Sequence, residues 1–133
     1  MDWFAAKEIC QKVGDGNMTE ARNATEIDAI ISLFSNMNSS CKNLWTPITD
    51  EEVEGQFKSI ITGDLATYIP WGAGQPDGGS EDSTVFLEFA SKHYWDIKDN
   101  FQACVLCDLF KDKVFSLMGV CYKSIFGEFL TFP

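Results

Sequence analysis

The sequence predicts an α+β domain, and three observations carry that prediction. Apolar residues recur at helical spacing in two early stretches, around residues 3–13 and 27–34. Short strand-like runs follow them, from residue 44 onward. A glycine-rich segment, residues 71–82, then separates those runs with a loop. Helices first and strands afterwards argue α+β rather than an alternating α/β order.

The elements follow in chain order. Trp3, Ala6, Cys10 and Val13 share one helical face, with Asp2 available as N-cap and Gly14-Asp15-Gly16 as the stop. Ile27, Ile30, Ile31 and Phe34 form the apolar stripe of a second surface helix. Asn23, followed three residues later by Glu26, resembles a capping box at its start. Leu44-Trp45-Thr46-Pro47-Ile48 reads as a strand, and the acidic residues after it, Asp50-Glu51-Glu52 included, as a solvated turn. Phe57–Ile61 and Leu65–Ile69 flank Gly63-Asp64 as a hairpin, and two more strands fit Thr84–Phe89 and Ala103–Leu109.

Composition removes several classes of function. The chain has 133 residues, 45% of them hydrophobic, which suits one domain with a real core. Ten Lys and Arg against twenty Asp and Glu give a net charge of −10. Phosphate backbones and anionic membranes both require basic surface, so neither is an expected partner. No apolar run approaches the ~20 residues of a membrane-spanning helix. Met1-Asp2-Trp3 opens directly into amphipathic sequence instead of a signal peptide, as expected of a mature fragment or a piece of a longer chain.

Five cysteines accompany three glycosylation sequons, at Asn17, Asn23 and Asn38. Together they place the chain outside the cell and make disulfides the expected state of the sulfurs. Capping and glycosylation are expected to compete at Asn23, which leaves Asn17 and Asn38 as the freer glycan sites. Cys104-Val105-Leu106-Cys107 has redox-motif spacing, but it ends a strand-like stretch instead of opening a helix. A zinc site would need four ligands, and His93 is the only histidine. That same scarcity leaves a nucleophile without a base, so the chain reads as a non-enzyme.

The order of particular residues resembles the C-type lectin-like domain. Trp3-x-x-Ala6-x-x-x-Cys10 opens the series, and Glu26 follows in the second helix. Leu44-Trp45 stands where the family has a Trp-Ile-Gly strand, with Glu54-Gly55 next. Trp71, Gln75-Pro76-Asp77, Glu81-Asp82, Trp95-Asp96 and Cys107-Asp108 complete it. The resemblance covers residues 3–109 and implies a disulfide-stapled fold of two helices, small antiparallel sheets and a long loop region. It implies a Cys10–Cys107 bridge. The family's second bridge has no counterpart here, and Cys41–Cys104 is the expected substitute. Cys121 is then odd, and a bridge to another module or chain is expected for it.

The same resemblance implies a binding site. In calcium-dependent members a loop tripeptide and a later Trp-Asn-Asp hold one Ca²⁺, whose shell sugar hydroxyls complete. Gln-Pro-Asp goes with galactose-type selectivity. The implied metal and carbohydrate ligands are therefore Gln75, Asp77, Glu81 and Asp96. Ile97, however, stands where the family has its aspartate, and Asp99 is two residues out of register. Two expectations follow: an extracellular recognition domain that binds a protein partner, or a glycan, without metal; and a calcium-dependent lectin for galactose-type sugars. His93 and Tyr94 are candidate exposed residues beside that site, while the four tryptophans read as core. The lectin-like domain is expected over residues 1–109, without the family's first strand. Residues 110–133 read as a C-terminal extension or linker, and Val114–Cys121 is similar to linkers in modular arthropod ectodomains.

Overall fold

The computed structural model describes residues 1–14, 16–78, 83–108, 121–124 and 127–132. Helix α1 (Trp3–Gly14) leads through the short strand β1 (Asn17–Met18) to helix α2 (Ala24–Asn36). Strands β2 (Asn43–Thr49), β3 (Lys58–Ser59), β4 (Thr84–Glu88) and β5 (His93–Ile97) follow. Then come β6 (Val105–Asp108), β7 (Cys121–Ser124) and β8 (Gly127–Phe132).

Local chemistry starts both helices where the sequence places the caps. The Asp2 Oδ1 accepts the amide of Ala5 at 2.8 Å, and the Asn23 Oδ1 accepts that of Glu26 at 3.0 Å. The box at α2 closes one residue early, because the Glu26 carboxylate reaches back to the amide of Arg22 at 3.2 Å.

Two antiparallel sheets form, in the orders β1-β6-β8-β7 and β3-β2-β4-β5. In the first, Met18 lies opposite Cys107, and Val105 opposite Phe132. In the second, Trp45 pairs with Phe86 and Val85 with Asp96. Strands β2 and β4 are buried on both faces, which explains their nearly continuous apolar sequence. Leu44, Ile48, Val85 and Leu87 face the cluster made with Ile27, Ile30 and Phe34 of α2. Trp45 and Phe86 face a second cluster with Trp3, Ala6 and Met18. Pro47 sits mid-strand where the β2–β4 register shifts, and the Thr46 hydroxyl donates to the Val85 carbonyl at 2.8 Å.

Disulfides join Cys10 to Cys107 and Cys41 to Cys104, with Cα–Cα distances of 5.2 and 6.1 Å. The first fixes α1 to β6. The second ties the segment after α2 to the entry of β6.

Three expectations change. The hairpin at Gly63 exists, but its second arm is a single bridge, Lys58 with Leu65, rather than a strand over 65–69. Asp50 is buried, not solvated, because its Oδ2 accepts the Gly55 amide at 2.9 Å and closes the turn, while Glu51 and Glu52 stay exposed. Tyr94 is buried too, and only His93 is exposed.

Candidate functional site

The Gln75-Pro76-Asp77 segment is held against β5 from its beginning. The Tyr94 amide donates to the Pro70 carbonyl at 2.8 Å, and the Gly72 amide to the Tyr94 carbonyl at 2.9 Å. A turn then closes from Gly72 to Gln75, with Gly74 at φ +79° and a cis Gln75–Pro76 bond. The left-handed conformation at Gly74 is one that glycine adopts without steric cost.

Asp96 completes the attachment. Its Oδ1 accepts the Asp77 amide at 3.1 Å and its Oδ2 the Gly78 amide at 2.9 Å. In return the Asp96 amide donates to the Gln75 Oε1 at 3.4 Å. Asp96 is 4% exposed, whereas Pro76 and Asp77 are exposed and Gln75 is half-buried. The structure thus brings Gln75, Asp77 and Asp96 together. Glu81 lies outside the described residues.

The neighbours of Asp96 run the other way from a metal site. Ile97 packs against the cluster of Trp45 and Phe86, and its carbonyl accepts the Thr84 hydroxyl at 2.8 Å. Asp99 lies beyond the end of β5, where its carbonyl accepts the Trp3 amide at 3.0 Å. Among the described residues, no three His, Cys, Asp or Glu side chains converge on one point. Calcium needs six to eight oxygens. The described residues do not by themselves fit that ion, since no set of acidic side chains gathers at Asp96 and the Ile97 side chain beside it offers no oxygen.

A concavity of about 450 Å³ lies beside the N-terminus of α2 and is lined by Glu20, Arg22, Glu26, Ile61 and Asp108 among others. Its charges are largely committed. The buried Glu26 carboxylate takes the Arg22 Nε at 2.5 Å, and the Glu20 Oε1 accepts the Ser59 hydroxyl at 2.6 Å. Burial raises the Asp108 carboxyl above its ordinary range; Glu26 adds to that and Arg22 opposes it. The phenol of Tyr94 is raised chiefly by burial and further by Glu20, Tyr68 and Glu26, so it remains protonated.

The Asp96 attachment is the feature that sequence reasoning missed. Its only sequence signal is the choice of residue, since a carboxylate offers two acceptor oxygens where an amide offers one.

Comparison with known proteins agrees with this architecture. The family model for the lectin C-type domain matches residues 1–109, and the chain belongs to that family. "C-type lectin domain family 3 member A" from mouse (Mus musculus) is 27% identical over 93 residues, and its human (Homo sapiens) counterpart 27% over 90. Those stretches cover 70% and 68% of this chain but only 46% and 45% of the relatives, so the chain spans less than half of their length. Among solved structures, the C-type lectin CEL-I from Cucumaria echinata superposes with a TM-score of 0.71 at 20% identity, covering 80% of this chain and 81% of that one. Human lithostathine gives 0.70 at 21%, covering 80% and 74%. A calcium-independent type II antifreeze protein gives 0.68 at 17%, covering 80% and 77%. These likenesses establish the fold.

Proposed function

We propose that this chain is an extracellular recognition domain that binds a protein partner through the metal-free surface around Gln75-Pro76-Asp77, and that it performs no catalysis. One observation carries the reading: Asp96 uses both carboxylate oxygens to hold the loop, and Ile97 beside it belongs to the core. A sugar recognised through calcium shares the ion's coordination shell, and that route needs an ion the described residues do not fit. The structural likeness to a protein described as calcium-independent supports recognition on this fold without the ion.

Exposed side chains elsewhere on the domain also suggest the partner's chemistry. Val53, Ile61 and Leu65 are exposed apolar side chains on the segment that leads to the loop, in a chain of net charge −10. A partner offering apolar side chains among Lys and Arg complements both features. Among the described residues no helix is long and apolar enough to cross a membrane.

Two disulfides and three sequons support an extracellular setting. Asn23 joins Asn17 and Asn38 as a glycan site, because the cap uses its Oδ1 while a glycan attaches at Nδ2. The β6–β8 pairing supports reading the end of the chain as an extension of the domain, and a bridge from Cys121 to another module or chain stays part of the proposal.

A calorimetric Ca²⁺ titration to about 10 mM, with Asp77→Ala as control, tests the reading. No saturable heat is expected. Saturable binding lost in the variant would overturn it in favour of a galactose-type lectin using Gln75, Asp77, Glu81 and Asp96.

A further inference from the structure

We infer that Asp96 is a positioning residue that orders the recognition loop by taking the place of a cation. The inference deepens the metal-free reading by naming what keeps that surface in shape.

Two successive backbone N–H groups, of Asp77 and Gly78, point at the two oxygens of one buried carboxylate, at 3.1 and 2.9 Å. Such charge-assisted bonds are roughly twice as strong as neutral ones, and burial strengthens them further. The carboxylate itself is fixed. Asp96 pairs with Val85 across the β4–β5 ladder, and its own amide is taken by Gln75. The attachment therefore closes a ring: strand to Gln75 side chain, loop backbone, and back to the strand through Asp96.

The chemistry explains why the residue is aspartate. Asparagine at 96 could accept through one oxygen only, leaving its NH₂ group facing a backbone N–H. It also makes the order of the loop independent of any cation. A cation at Asp96 would meet oxygens that already each accept one N–H, with the positive ends of both dipoles pointing at them. The loop is consequently ordered in the ion-free protein, and calcium has no conformational change to drive.

Residue-resolved amide exchange on the oxidised domain tests this, with wild type, Asp96→Asn and Asp96→Ala compared in EDTA and in about 10 mM Ca²⁺. In wild type, the Asp77 and Gly78 amides are expected to be protected in EDTA and unchanged by calcium. Asp96→Asn should release one of the two amides, and Asp96→Ala both, each by about tenfold or more. Protected amides of Val85 and Leu87 serve as the control for an intact sheet. If Asp96→Ala fails to fold, the one-of-two pattern in Asp96→Asn carries the test.

Unprotected amides in EDTA, protection that appears only with calcium, or protection surviving both substitutions would overturn the inference. Its failure is separable from that of the proposed function. An unprotected loop with a flat calcium titration sinks the positioning role alone. A loop protected in EDTA that nonetheless titrates with calcium sinks the metal-free reading alone.

Discussion

Gly72 lies directly against the indole of Trp95: a Cβ on Gly72 would stand 3.0 Å from both Cε2 and Cζ2 of that ring. This contact lets the loop backbone run flat along β5, with the Gly72 amide on the Tyr94 carbonyl and Asp96 reached three residues after the Gly72–Gln75 turn begins to close. The glycine is favoured here by close approach, not by backbone angle.

Gly72→Ala should therefore destabilise by overpacking, at about 1–3 kcal/mol. Gly74→Ala should cost about 1 kcal/mol for a different reason, since nothing lies within 4 Å of that position but its φ is +79°. Denaturant melts give the two costs, and tryptophan emission separates the causes. Gly72→Ala should perturb the Trp95 environment in the folded state, and Gly74→Ala should not. Equal spectra for both variants would contradict the contact.

The bridges should also separate. Cys10–Cys107 closes 97 residues and Cys41–Cys104 closes 63. Chain entropy assigns each about 4–5 kcal/mol, because closure cost grows only slowly with loop length. Replacing either pair by alanine should then cost similar stability. The Cys10/Cys107 variant should also loosen α1, since both sulfurs lie in the cluster that α1 shares with β6. Chemical denaturation gives the first quantity, and exchange of α1 amides the second. A Cys41/Cys104 variant that frees α1 equally would refute the division of labour.

Much of this fold was legible in the sequence, for identifiable reasons. Helices α1 and α2 show their buried faces as a 3.6-residue period, and the central strands show theirs as apolar runs. Strand β5 hides, because its inward positions are Tyr94 and Asp96, which no hydrophobic pattern marks as buried. Asp50 hides for the same reason: an acidic run looks solvated until a turn folds its carboxylate onto the Gly55 amide. At the site, the tripeptide is visible in the sequence and the hydrogen bonding of Asp96 is not. Its hydrogen-bond partners lie 18 and 19 residues away and are fixed only by the tertiary path of the loop.

Asp108 should give the domain a small pH response. Its ordinary value is 3.8, and burial beside Glu26 raises it in the folded state against the opposing charge of Arg22. A raised carboxyl binds its proton more tightly when folded. Its stabilising contribution is complete below 3.8 and is lost as pH rises through the folded value. Wild type should therefore match Asp108→Asn near about pH 3 and fall behind it at neutral pH. The gap should stay below about 1 kcal/mol, because Asp108 is exposed and solvent screens its charge. Adding Arg22→Ala should widen the difference, since it removes the cation that holds the shift down. Thermal melts of the single and double variants at both pH values measure this. A gap of the same size at both would mean that charge on Asp108 is not its cause.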